Sequence, residues 1–113
     1  MKKLNGTKKK SVAIFISGTG SNFKNLLKFS LKQDSKFKIN LVICNSAKAK
    51  GLKYAKHFNI KIKIINYKNI KKAENEILLN LNKMKIELIC LAGFMKILTK
   101  NFIKKFKGKI LNI

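Results

Sequence analysis

The chain has 113 residues, 46% of them hydrophobic, and carries 27 basic against 4 acidic side chains for a net charge of +23. That length suits one small domain, or part of a larger one, with enough apolar content to exclude a disordered tail. No apolar run approaches the roughly 18 residues of a membrane span, and the apolar run after the basic start is too short for an export signal.

Read in chain order, the sequence alternates. Residues 1–10 (MKKLNGTKKK) are basic and predicted to be disordered. SVAIFIS, Ser11 to Ser17, is a continuous apolar run of strand length. GTGSN follows, and then Phe23, Leu26, Leu27 and Leu31 fall on one face of a helix. FKINLVICN, Phe37 to Asn45, is a second strand. Ala47 to Phe58 has a helical pattern that Gly51 weakens. Ile60 to Asn66 alternates early, as a more exposed strand does. Ala73 to Met84 is a helix with Ile77, Leu78 and Leu81 inward, and Ile86 to Gly93 is another buried strand. Thr99 is placed to cap a helix carrying Phe102, Ile103 and Phe106, and Lys109 to Ile113 reads as a last strand.

Strand and helix in strict alternation, with nearly continuous apolar strands, predict an α/β fold: a mostly parallel sheet covered by helices on both faces. In such sheets ligands bind beyond the carboxyl ends of the strands. The GTGSN loop is at such an end. Gly18 and Gly20 let the backbone turn and let an anion approach, and the N–H groups that open the helix are free to meet it. Ser21 and Asn22 add side-chain donors. The loop therefore reads as a phosphate cradle, the alternative being an ordinary turn with Ser21 or Asn22 as cap. It is not a dinucleotide fingerprint, because Phe23 occupies the third glycine position and the second strand ends at Asn45 rather than at an acid. A single phosphate on a small substrate fits better.

The charge points to polyanions, but every basic residue is Lys and none is Arg, the residue that forks onto phosphates and guanine edges. Lys falls in every segment, and only two Tyr and no Trp are available for base stacking. Nucleic acid is therefore not an expected partner, and a Lys-rich nucleic-acid-binding domain stands as an alternative. Cys44 and Cys90 lie in separate apolar runs and read as buried free thiols, with no metal-ligand spacing. His57, the single histidine, reads as a surface residue at a helix end.

ISGTGSN, LAGFMKILTKNF and the final LNI together resemble the phosphoribosylglycinamide formyltransferase family, from about Ala13 to the last residue. The resemblance implies a Rossmann-like domain over residues 11–113, corresponding to the amino-terminal half of the family and truncated at its carboxyl end. It implies a cytoplasmic enzyme of purine (IMP) biosynthesis that moves a formyl group from 10-formyltetrahydrofolate, a co-substrate, to glycinamide ribonucleotide, without a metal. Gly20, Ser21 and Asn22 match the motif that holds the ribonucleotide phosphate. Met95, Lys96, Ile97 and Leu98 match the folate-binding segment, where Lys96 replaces a common Arg; on pattern alone Met95, Ile97 and Leu98 would read as core. Asn112 matches the catalytic Asn of an Asn-Ile-His-Pro-Ser motif, beside the folate, whose amide stabilises the transient oxyanion. The His and the downstream Asp of the family are not in this sequence, so the chain is expected to be inactive or nearly so alone, and the ancestral chain is expected to have continued into His-Pro-Ser. A non-catalytic sugar-phosphate-binding module is the other alternative.

Overall fold

The computed structural model describes residues 9–113. The predicted disordered start, residues 1–10, lies outside the described residues except for Lys9 and Lys10. Strand β1 (Lys10–Ile16) already includes Lys10, whose N–H bonds Lys36 O at 2.8 Å, so the domain begins one residue before the expected boundary. There follow α1 (Ser21–Ser30), β2 (Phe37–Cys44), α2 (Leu52–His57), β3 (Lys61–Ile64), α3 (Ile70–Lys83), β4 (Leu88–Leu91), α4 (Lys100–Lys105) and β5 (Lys109–Asn112). The five strands form one sheet in the order β3-β2-β1-β4-β5, with every neighbouring pair parallel. No helix among the described residues is long and apolar enough to cross a membrane.

Burial on both faces explains the continuous apolar strands. Along β1, Val12, Ile14 and Ile16 face a cluster with Phe23 and Leu27 of α1 and Leu52 and Ala55 of α2. Ala13 and Phe15 face the opposite cluster, with Ala73, Ile77 and Leu81 of α3 and Phe102 of α4. β2 keeps to both faces through one extra residue: Val12 pairs with Ile39 but Ala13 pairs with Leu41. Asn40 is left over, and its side-chain N–H donates to Ser11 Oγ at 2.6 Å. The irregularity puts Ile39 and Leu41 on opposite faces, which a strict two-residue period would forbid.

Three helices differ from the sequence reading for local reasons. α2 starts only at Leu52, because the Gly51 N–H is committed to Gly18 O at 2.9 Å. α3 starts three residues early, because Asn69 Oδ1 accepts from the Lys72 N–H at 3.0 Å and caps it. α4 is capped by Thr99 as expected, but it is short, and it buries Phe102 while leaving Ile103 51% exposed. Leu31 likewise lies at the end of α1 and is 57% exposed. Cys44 and Cys90 are buried free thiols, and burial raises the pKa of both.

Phe15 sits at the centre, fully buried, and packs edge-on against Phe94 with centroids 5.2 Å apart and Phe102 at 6.5 Å. Phe15→Ala is expected to lower unfolding free energy by about 3–5 kcal/mol. Ile103→Ala, on the same sequence period as Phe102, should stay within about 0.5 kcal/mol. Urea unfolding of the two variants checks the difference.

Candidate functional site

The chain runs from β1 outward to β2 and β3, then returns to place β4 on the other side of β1. Connections diverge at the β1/β4 boundary, and open parallel sheets bind ligands beyond the carboxyl ends of strands at such a reversal. Two loops meet there: Ser17–Gly20 after β1 and Ala92–Thr99 after β4.

The first loop depends on two glycines in contact. Gly20 occupies the N-cap position of α1 with φ 73°, in the left-handed region, and no side chain caps the helix. A Cβ on Gly20 would lie 2.8 Å from Gly51 Cα, and a Cβ on Gly51 would lie 3.0 Å from Gly20 Cα. The Gly51 N–H also donates to Gly18 O. α2 thus supports the loop from behind, backbone against backbone. In front, the first turn of α1 has no acidic residue, and Ser21 and Asn22 are exposed. The N–H groups that open a helix have no partner within it, and they lie at the positive end of its dipole. This is the geometry of an anion cradle.

A single hydroxyl joins the two loops. Ser17 Oγ accepts from the Met95 N–H at 2.8 Å and donates to Asn45 Oδ1 at 2.5 Å. It therefore ties together the carboxyl ends of β1 and β2 and the segment after β4. Met95 is 78% exposed and Ile97 is 89% exposed, so neither belongs to the core. Lys96 is also exposed, while Leu98 is half-buried against the α3 side of the sheet. The far end of this segment is held by Glu74 of α3, a buried acid that accepts from Thr99 N at 2.9 Å and Thr99 Oγ1 at 2.5 Å.

Tyr67 lies beneath the segment. Phe94 packs on its ring at 5.9 Å between centroids, and Lys96 Nζ lies 5.6 Å from the ring centre. The Tyr67 hydroxyl is buried without a hydrogen-bond partner among the described residues. Burial first, and the Glu74 carboxylate second, push its pKa from the usual 10.0 up to about 12. Asn112 completes the rim. It pairs in register with Leu91, the last residue of β4, and the Ile113 N–H bonds Leu91 O at 3.0 Å. Two residues on from Ile110, it shares the sheet face on which Phe94 and Leu98 pack. Its side chain is exposed.

Every site residue anticipated from the sequence thus lies on one rim of the sheet: Gly20, Ser21 and Asn22 at one loop, Met95 to Leu98 at the other, and Asn112 beside them. His57 does not. It is exposed on the last turn of α2, at the end of that helix away from Gly51, with its ring 4.7 Å from that of Phe58. Sequence reasoning missed Ser17, Asn45, Gly51 and Glu74. Ser17 and Asn45 end apolar runs, the one available signal. Gly51 reads as a defect in a helix until Gly20 is placed beside it.

Gly20→Ala meets both a left-handed φ and a backbone contact, and should destabilise the fold by about 1–3 kcal/mol. Gly51→Ala, with no positive φ but three tight contacts, should act in the same direction and less strongly. Both should weaken inorganic phosphate binding at the start of α1, read from the amide shifts of Ser21 and Asn22. Tyr67→Phe should leave stability at neutral pH unchanged or raised, because it removes an unpaired buried hydroxyl. The folded pKa lies above the unfolded one, so the Tyr67 hydroxyl should contribute a loss of stability as pH rises from 10 to about 12. Tyr67→Phe should lose less over that window, which urea melts across the pH range measure.

The description "Formyl transferase" belongs to the family model that matches residues 10–113. Among curated relatives, the Homo sapiens trifunctional purine biosynthetic protein adenosine-3 is 42% identical over 109 residues, covering 94% of this chain and 11% of that protein. The phosphoribosylglycinamide formyltransferase of Haemophilus influenzae is 39% identical over 107 residues, covering 92% of this chain and 50% of that protein. Among solved structures, the phosphoribosylglycinamide formyltransferase of Brucella melitensis superposes with a TM-score of 0.88 at 34% identity, over 93% of this chain and 56% of that one. The chain therefore spans about half the length of these bacterial relatives. With the family match running through all five strands and both rim loops, the chain belongs to the formyl transferase family.

Proposed function

We propose that this chain supplies the substrate-binding rim of a phosphoribosylglycinamide formyltransferase, working in the cytoplasm in purine biosynthesis. The observation that carries the proposal is the link through Ser17, which places an uncapped helix N-terminus and an exposed apolar loop side by side at the β1/β4 reversal. The relatives' names give the reaction class.

In this reading Gly20, Ser21 and Asn22 hold the phosphate of glycinamide ribonucleotide with backbone N–H groups and short polar side chains. Met95, Ile97 and Leu98, with Lys96 at the edge, hold the folate. Exposed apolar side chains such as Met95 and Ile97 fit the face of a flat heterocycle. 10-Formyltetrahydrofolate supplies the formyl group when bound. The substrate amine forms a bond to the formyl carbon, the bond from that carbon to the folate nitrogen breaks, and the amine proton passes to the folate. Between these steps the formyl oxygen carries negative charge. Asn112, exposed at the end of β5, donates an amide N–H to it.

A binding module without chemistry is the second reading, favoured by one observation. The single His of the sequence, His57, lies at the end of α2 away from the rim, so no imidazole is at hand to move protons.

Calorimetric titration separates these. Glycinamide ribonucleotide should bind the 113-residue chain and should not bind Gly20→Val. Equal binding by both, or by neither while the chain is folded, counts against the phosphate site. Turnover by the chain alone should fall short of a complete enzyme by at least the 10²–10⁴-fold, approximately, that a general acid-base contributes. Efficient formyl transfer by the pure chain, lost in Asn112→Ala, would show that its own residues suffice and would sink the binding-module reading.

A further inference from the structure

The segment after β4 makes few bonds of its own. Among the described residues, no backbone group from Gly93 to Leu98 pairs with another backbone group. Hydrogen bonds hold the segment at three places. The Ala92 N–H donates to Phe15 O at 2.9 Å, the Met95 N–H donates to Ser17 Oγ at 2.8 Å, and Thr99 is held by Glu74. Only the second reaches the interior of the segment, and only the second leads to the other loop. Ser17 is followed at once by Gly18, whose oxygen takes the Gly51 N–H, and then by Gly20 at the start of α1.

The Ser17 hydroxyl has a fixed sense. A carboxamide oxygen accepts and cannot donate, so Asn45 Oδ1 takes the hydroxyl proton. The lone pairs of Ser17 Oγ are left for the Met95 N–H. The three groups form a directed chain across the ends of β4, β1 and β2, each bond polarising the next. Stability does not account for it. Met95 is 78% exposed, and water would serve its N–H nearly as well. What the bond does fix is where Met95 lies relative to the loop from Ser17 to Gly20.

We propose, on the two-ligand reading given above, that Ser17 is a positioning residue that couples those ligands. An anion held at the start of α1 settles the loop, and Ser17 passes that order to the Met95 N–H. The Met95–Leu98 segment then takes its own ligand more tightly. By linkage, a ligand on the segment tightens the hold on the anion by the same factor. Ser17 acts through Met95 and not by touching either ligand. One hydrogen bond of ordinary net strength sets the coupling at about three- to tenfold in affinity.

Titration of inorganic phosphate into the folded chain tests this by NMR. The Ser21 and Asn22 amide signals report the start of α1, and those of Met95 and Lys96 report the segment. In the unsubstituted chain both sets should shift along one binding curve. In Ser17→Ala only the Ser21 and Asn22 set should shift, with the urea midpoint little changed. Ser17→Thr keeps the hydroxyl and should restore the Met95 response, a rescue that a merely structural role would not give. Asn45→Ala frees the Ser17 hydroxyl to turn away and should weaken that response. Calorimetry adds the affinity for 5-formyltetrahydrofolate with and without saturating glycinamide ribonucleotide. The ratio should be about three- to tenfold in the unsubstituted chain and close to one in Ser17→Ala. A ratio near one in the unsubstituted chain overturns the proposal, and so does a Met95 response that Ser17→Ala leaves intact. A folded chain that takes neither phosphate nor ribonucleotide sinks the phosphate-site reading, and exchange of the Met95 amide then decides on Ser17. Exchange about tenfold faster in Ser17→Ala and reversed in Ser17→Thr upholds its positioning role, and unchanged exchange overturns it.

Discussion

Complete burial of β1 is the constraint on which the structure depends. Val12 to Ile16 are buried one after another, which requires cover on both faces and a strand on each edge. β2 takes one edge, and only a return of the chain across the sheet can fill the other. That return creates the β1/β4 boundary, the position at which open parallel sheets bind ligands. The candidate site is a consequence of burying one strand, because the loops leaving β1 and β4 meet where both strands end and are joined through Ser17.

The rim is held by backbone and by short polar contacts rather than by charge. Gly20 and Gly51 touch through their α-carbons, and Ser17 holds the Met95 N–H. The few acids follow the same pattern: Glu74 serves Thr99, and Glu87 accepts from the Ser11 N–H at 3.3 Å. With 27 basic and 4 acidic residues, ion pairs can neutralise only a small part of the charge. Self-repulsion therefore opposes the fold, and apolar burial on both sheet faces outweighs it. Lys side chains also lie along aromatic rings. Lys24 and Lys53 both approach Tyr54, at 5.5 and 5.2 Å from the ring centre, a modest contribution at an exposed site.

The two halves of the rim have different mechanical support. The GTGSN side is fixed by a glycine pair that admits no side chain. The segment from Met95 to Leu98 is fixed at its ends, by Ser17 and by the Glu74–Thr99 pair, and presents exposed side chains between them. The unpaired Tyr67 hydroxyl beneath this segment is consistent with a floor packed for shape rather than for hydrogen bonding.

The order of strands and helices, the parallel sheet and the position of GTGSN were legible in the sequence. Each is local or periodic: apolar runs of strand length, helical spacing, and glycines where an apolar run stops. The resemblance also singled out Met95 to Leu98 and Asn112, which periodicity alone assigns to core and strand and which the structure leaves on the rim. Tertiary structure decided what depends on residues distant in sequence. Gly51 looks like a helix breaker until Gly20 lies against it, 31 positions away. Ser17 looks like the end of a strand until Met95 arrives 78 residues later. Ile103 shares its period with Phe102 but faces solvent, because a helix as short as α4 buries a narrow stripe. The extra residue at Asn40 shows in the sequence only as a polar break between Ile39 and Leu41, which does not by itself say that the strand bulges there. Sequence records which residues must leave water; only the packed chain decides which of them meet, because each contact is a choice between partners that the linear pattern leaves equivalent.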